Sequence, residues 1–184
     1  MKTLLITGLD GFTGQYLAEQ ARMAGYRVVG TSHHQADPTK FEDECHVCDL
    51  TNAKKVGSLM QVVQPDAVAH LAAISFVAHG DVEAVYRTNI LGTRNLLQAL
   101  AGLIKKPETV LVASSANIYG NTTGGSLDES ALPSPANDYA VSKLAMEYLA
   151  KLYTEQLPIT MVRPFNYTGV GQSDKFLLPK IVSH

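Results

Sequence analysis

The sequence predicts a doubly wound α/β fold, a parallel sheet in the strand order 3-2-1-4-5-6 with helices on both faces. Three observations predict it. Short apolar runs alternate with helical patterns of ten or more residues, six such runs occur, and a glycine-rich turn joins the first run to the first helix. Ligands of such a sheet bind outside the carboxyl ends of the strands, beside that first turn.

Residues 2–7, rich in Leu, Ile and Thr and too short for a helix, read as a strand buried on both faces. Residues 12–24 carry Tyr16, Leu17, Ala21 and Ala24 at helical spacing and stop at Gly25. Residues 27–32 form a second strand, the polar stretch 33–44 with Pro38 a loop, and 46–49 a short third strand. A helix over 53–63 ends before Pro65, and 66–71 is strand four. The spacing then predicts one long helix over 81–103, with Val85, Thr88, Asn89, Gly92, Leu96 and Leu100 as its buried side. Residues 109–113 are strand five. The Gly-, Ser-, Thr- and Pro-rich stretch 121–135 is a loop of a length that usually carries function. Asn137 or Asp138 caps a helix through Tyr139, Leu144, Tyr148 and Leu152, reaching about residue 156 and stopping before Pro158. Residues 159–162 are strand six.

Composition narrows the function classes. The 184 residues are 46% hydrophobic and 17% charged, which excludes global disorder and suits one domain, or one plus an incomplete second. Lys plus Arg is 15 against 17 for Asp plus Glu, with no basic run, so neither nucleic acid nor an anionic membrane is an expected partner. No apolar stretch is long enough to span a bilayer, and the first run is too short for a signal peptide, so a cytoplasmic location is expected. Cys45 and Cys48 read as plain thiols of a short strand, and no metal site is expected.

Two constellations carry chemistry. In the first turn, Gly8, Gly11 and Gly14 let the chain turn tightly, approach a pyrophosphate with bare backbone, and pack the helix close to the sheet. The tip of strand two is Thr31-Ser32-His33-His34. It holds no acid for a ribose 2′-hydroxyl, while hydroxyls and imidazoles suit a 2′-phosphate, so NADP is expected, with NAD possible. The second constellation is Ser115 at the end of strand five with Tyr139 and Lys143. Four residues apart on one helical face, the ammonium can stabilise a phenolate. Bringing a tyrosine of pKa near 10 to neutrality takes about three units, roughly 4 kcal/mol.

These residues, with Asp49-Leu50, His70-Leu71-Ala72-Ala73, Asn89 in Asn-x-x-Gly-Thr, Ser115-x-x-x-Tyr119-Gly120, and Arg163-Pro164-Phe165-Asn166, resemble the extended short-chain dehydrogenase/reductases that act on nucleotide sugars. The resemblance implies a Rossmann domain over 1–166 and, over 167–184, the start of a substrate-binding part. It implies catalytic roles for Ser115, Tyr139, Lys143 and Asn89, with Tyr139 moving the proton. Cofactor contacts are implied at Gly8, Gly11, Phe12, Thr13, Gly14, Thr31, Ser32, His33, Asp49, Leu50, Leu71, Ala72, Ala73, Lys143 and Pro164, and substrate contacts at Ser75, Asn117 and Asn166. His70 reads as a packing residue.

Within the family, the sugar dehydratases place an acid just after the catalytic Ser or Thr, where Ala116 and Asn117 stand here, so elimination is disfavoured. The motif around Arg163 and the tip of strand two look most like reductases of GDP-4-keto-6-deoxymannose. A 4-ketoreductase is expected; a nucleotide-sugar 4-epimerase and a non-catalytic NAD(P)-binding module are the alternatives. Family members continue well past the Arg163 motif, so a fragment is expected, with an exposed apolar stretch at 176–182. The two long helices look like the pair through which the family dimerises as a four-helix bundle, so a homodimer is expected.

Overall fold

Leu5 and Ile6 point to opposite faces of strand β1 (Thr3–Thr7), and both are fully buried. A strand covered on both sides is the centre of a layered α/β fold. The computed structural model describes residues 1–34, 44–75, 81–122, 125–174 and 177–182. Most of the predicted loop 33–44, two residues of the loop 121–135, and Phe176 lie outside that set.

The other strands are β2 (Arg27–Ser32), β3 (Glu44–Val47), β4 (Ala67–His70), β5 (Thr109–Ala113) and β6 (Ile159–Val162). All pairs are parallel and the order is β3-β2-β1-β4-β5-β6, as the sequence predicts. Because β1 sits between β2 and β4, the chain leaves it first to one side and later to the other, and a crevice opens at the carboxyl ends of β1 and β4.

The helices are α1 (Phe12–Met23), α2 (Ala53–Val63), α3 (Val82–Tyr86), α4 (Thr93–Ala101), α5 (Asp138–Lys151) and α6 (Leu177–Val182). Leu5, Val29, Val68, Val110 and Val112 join Val56 and Met60 of α2, Leu96 and Leu100 of α4, and Met146 of α5 in one core. Ile6, Leu9, Val28 and Ala69 join Ala18 and Ala21 of α1 in the other. Cys48 belongs to the first core and Cys45 packs against the second, so the two thiols flank opposite faces of the sheet.

The structure corrects three boundaries. β3 ends at Val47, two residues earlier than expected, because Asp49 folds into a turn: its carboxylate accepts Thr51 N–H and hydroxyl at 2.9 and 2.8 Å, and its carbonyl accepts Asn52 N–H at 3.0 Å. The helix expected over 81–103 is interrupted by a wide π-helical turn, Arg87–Gly92, between α3 and α4. That extra residue per turn rotates the buried side, so Thr93 and Leu97 are fully buried while Thr88 is only partly so. The third boundary is that of α5, which ends at Lys151 rather than near residue 156, with Tyr148 and Leu152 exposed. The start is as expected: Asn137 accepts Ala140 N–H at 2.8 Å.

Candidate active site

β1 ends at Thr7 and the chain turns through Gly8 at φ +73° before α1 begins behind Gly11. Gly8 and Leu9 N–H donate to the Thr31 carbonyl at 2.9 and 3.0 Å, tying the turn to β2. A β-carbon at Gly8 would lie 3.0 Å from Ala72 N and Cα, and one at Gly14 would lie 2.3 Å from the Gly8 carbonyl oxygen. Turn, helix and the exit of β4 therefore meet backbone to backbone. No side chain caps α1, so its first N–H groups are available to an anion. Gly14→Ala must displace the Gly8 carbonyl; it is expected to cost about 1–3 kcal/mol of stability and about tenfold or more in dinucleotide affinity. Denaturation and calorimetric titration check it, and an unchanged Kd would show that the turn has room.

A cleft of about 470 Å³ opens over this turn. Of the expected cofactor contacts it gathers Gly8, Gly11, Thr31, Ser32, His33, Asp49, Leu50, Leu71, Ala72 and Ala73, and it adds Asp10, His34, Cys48, Ile74 and Thr88. Thr31 and Ser32 are each only 2% exposed, and the Ser32 hydroxyl donates to the His34 carbonyl. The exposed polar groups at the β2 tip are thus the imidazoles of His33 and His34, edge to face with centroids 4.8 Å apart. Hydrogen bonds from the Thr51 hydroxyl and N–H hold the Asp49 carboxyl below its ordinary range, so it stays an acceptor at the cleft wall.

Phe12 and Thr13 meet the segment after β6 instead of lining the cleft. Phe12 stacks on Tyr167 at 6.1 Å, Thr13 Oγ1 and the Tyr167 hydroxyl are hydrogen-bonded, and Tyr16 donates to the Val170 carbonyl at 2.8 Å. Pro164 contributes its carbonyl, which accepts Ala116 N–H at 2.9 Å.

Ser115 follows β5 and opens a short 3₁₀ turn, Ala116–Tyr119, accepting Asn117 N–H at 3.2 Å. Tyr139 and Lys143 occupy one face of α5. Lys143 is 3% exposed and its ammonium donates to the Ala113 carbonyl at 2.7 Å, while lying 5.9 Å from the Tyr139 ring centroid. Burial lowers its pKa to about 8. Burial pushes the Tyr139 phenol up, and the Ser115 hydroxyl opposes that. The sequence expects Lys143 to pull the phenol down; in this geometry its ammonium faces the end of β5 instead. Asn89 sits in the wide turn, with Nδ2 donating to the Ile74 carbonyl at 3.1 Å and to Ser142 Oγ at 2.9 Å. Ser75, next to Ile74, is exposed, as are Asn117 and Asn166.

Sequence reasoning missed one element of the site's frame. Arg163, at the end of β6, makes a two-pronged ion pair with Glu147 of α5 at 2.9 and 2.7 Å and donates to the Tyr119 hydroxyl at 2.8 Å. Burial would push the Glu147 carboxyl up, but the guanidinium outweighs it and holds the carboxyl below its ordinary value. The spacing Tyr139, Lys143, Glu147 places the acid on the face that carries the other two and was the available signal.

His70 is hydrogen-bonded at both ring nitrogens and 1% exposed, so it is more than the packing residue expected. Burial and, second, the Lys143 charge lower its pKa from 6.5 to about 3. The unfolded chain takes up this proton first, so stability is fullest above the unfolded value and falls as pH drops toward the folded one. Between about pH 7 and pH 5 the loss is expected to be about 2 kcal/mol. Urea midpoints at the two pH values measure it, and equal midpoints would refute it.

The model of the NAD dependent epimerase/dehydratase family matches residues 4–184. The chain belongs to that family. It is 37% identical to a GDP-6-deoxy-D-talose 4-dehydrogenase of Aggregatibacter actinomycetemcomitans, over 98% of this chain and 58% of the relative. It is 38% identical to a GDP-6-deoxy-D-mannose reductase of Pseudomonas aeruginosa, over 95% of this chain and 55% of that one. Among solved structures, a Burkholderia cenocepacia protein is 53% identical with a TM-score of 0.92, covering all of this chain and 60% of that one. A Bacillus cereus UDP-glucuronic acid 4-epimerase, solved with UDP-glucuronic acid and NAD, is 27% identical with a TM-score of 0.83, covering 95% of this chain and 60% of that one. The chain thus spans under two thirds of the length of these relatives. Among the described residues no helix is long and apolar enough to cross a membrane.

Proposed function

We propose that this chain is the dinucleotide-binding and proton-transfer part of a nucleotide-sugar 4-ketoreductase acting on a GDP-linked 4-keto-6-deoxyhexose. The observation that carries it is the placement of Ser115, Tyr139 and Lys143 at the end of β5 and on α5, with uncharged Ala116 and Asn117 where elimination would need an acid. The two GDP-6-deoxyhexose enzymes among the relatives support the substrate class.

The residues present fit a dinucleotide: the bare backbone at Gly8 and Gly14 leaves no room for a β-carbon, and α1 begins uncapped. When bound, the reduced dinucleotide supplies hydride. Tyr139, kept protonated by burial, donates its proton to the C4 oxygen, and Ser115 holds that oxygen. Asn89 fixes the Ile74–Ser75 backbone beside the substrate. Asn117 and Asn166 present exposed amides to the nucleotide sugar, while Phe12 and Thr13 brace the start of α1 against Tyr167 and Pro164 anchors the Ala116 backbone.

NADP is the proposed dinucleotide, because the β2 tip offers His33 and His34 and no carboxylate. Calorimetric titration with NADPH and NADH tests this; preference for NADH would assign the imidazoles no part in it. The reaction is tested by mixing the chain with NADPH and GDP-4-keto-6-deoxymannose. Stoichiometric loss of NADPH with a GDP-6-deoxyhexose product supports the reading. Interconversion of UDP-glucose and UDP-galactose without net loss of dinucleotide would favour the epimerase alternative.

We further propose that residues 1–166 form the cofactor domain, with 167–184 opening the substrate part. A homodimer is proposed through the helical stretch 82–101 and α5, where Leu91 of the wide turn, Val141 and Tyr148 of α5 and Leu152 just after it are 48%, 40%, 62% and 75% exposed. Sedimentation equilibrium on the wild type and Tyr148→Glu reads this directly, and a wild-type monomer at all concentrations would dismiss it.

A further inference from the structure

A chain of buried polar groups behind the cleft has a direction. The Thr93 hydroxyl donates to the Asn89 carbonyl at 2.7 Å, so its oxygen can only accept from His70 Nε2 at 2.8 Å. That nitrogen carries the proton. His70 Nδ1 is therefore bare and accepts the Thr7 hydroxyl at 2.7 Å, whose oxygen accepts Ala72 N–H at 3.2 Å. Protons point one way, from Ala72 through Thr7, His70 and Thr93 to Asn89. The Asn89 side chain extends the contact to Ser142, whose hydroxyl donates to the Tyr139 carbonyl at 2.7 Å. Thr7, His70, Thr93, Asn89 and Ser142 are each at most 1% exposed, so water does not substitute for any link.

One end of this chain is the Ala72 backbone that abuts Gly8; the other is the first turn of the helix carrying Tyr139. We propose that His70 is a positioning residue: held as its Nε2–H tautomer between Thr7 and Thr93, it fixes the glycine-rich turn relative to the wide turn of Asn89 and, through Ser142, to Tyr139. Burial and the Lys143 ammonium both disfavour a second proton on the ring, which keeps it neutral, and the Thr93 and Thr7 contacts then select the tautomer.

The inference rests on reading the cleft as a dinucleotide site, and its test separates the two. In proton–nitrogen correlation spectra of the full chain, His70 should show Nε2 protonated and Nδ1 bare. Thr93→Val keeps shape and removes the acceptor of Nε2–H. It should raise the NADPH Kd about tenfold, the worth of one buried hydrogen bond, although Thr93 does not line the cleft. It should also move the amide resonances of Gly8 and Ala72, and Thr93→Ser should restore both readouts. An Nδ1–H tautomer overturns the proposal. So does a Thr93→Val chain with lower Tm and unchanged Kd and amide resonances. If the wild type binds no NADPH, the cofactor reading fails, while the tautomer and the Gly8 and Ala72 resonances still decide the role of His70.

Discussion

Tyr139→Phe is expected to lower kcat by about 10²–10⁴-fold while leaving NADPH affinity within about threefold. In the proposed reaction the phenol oxygen, which interacts with the Ser115 hydroxyl, hands its proton to the carbonyl, and the substitution removes that oxygen and nothing of the ring. Burial raises the phenol's pKa, so at neutral pH the group is in the protonated form that reduction requires. Single-turnover kinetics with a 4-keto sugar and NADPH separates the chemical step from binding. Retention of more than about a tenth of the wild-type rate would remove Tyr139 from the proton-transfer step. Ser115→Ala is expected to share only part of this loss, since Ser115 orients the oxygen and does not supply the proton.

Arg163→Met is expected to cost about 3–5 kcal/mol of folding stability, because it leaves the Glu147 carboxylate, 2% exposed, without its partner. Combining it with Glu147→Leu should recover most of that loss, since a buried pair replaced by apolar groups is close to neutral while a buried lone charge is not. The single variant should also respond differently to acid. In the wild type the folded carboxyl titrates below its unfolded value, so the pair's contribution is present above the ordinary carboxylate range and lost as pH falls through the folded value. In Arg163→Met only the Ser114 hydroxyl and the Lys151 charge still oppose burial, the carboxyl moves up, and mild acid becomes less destabilising than in the wild type. Denaturant titrations of the two singles and the double close the cycle; a coupling energy near zero would mean that the guanidinium and carboxylate do not depend on each other.

Local chemistry explains which parts of the fold the sequence reveals. α2 is bounded by Asn52, which accepts Lys55 N–H, and by Pro65, and β6 is bounded by Pro158, so both are read at their true limits. The parallel sheet follows from the alternation of runs and helical patterns, and its order is the doubly wound one expected for six such strands. The wide turn at 87–92 is invisible because a period of 3.6 fits Val85, Asn89, Gly92 and Leu96 well enough. What breaks the period is Asn89 reaching Ile74 and Ser142, partners remote in sequence. The site shows the same division. Gly8, Tyr139 and Lys143 can be nominated from spacing and Ala72 from the family resemblance, but that Lys143 turns its ammonium onto Ala113, or that Thr13 meets Tyr167, depends on where the folded chain delivers its partners.

The pairing of β6 with β5 bears on how the protein matures during synthesis. Ser114 N–H donates to the Val162 carbonyl at 2.8 Å and Ala116 N–H to that of Pro164 at 2.9 Å, so the backbone on both sides of Ser115 is clamped by residues made about fifty codons later. The glycine-rich turn, β2, β3 and β4 emerge from the ribosome well before that. A nascent chain therefore exposes the glycine-rich turn and strands β1 to β4 before the residues that clamp Ser115 exist, and translational stalling before codon 162 would leave Ser115 without that anchor.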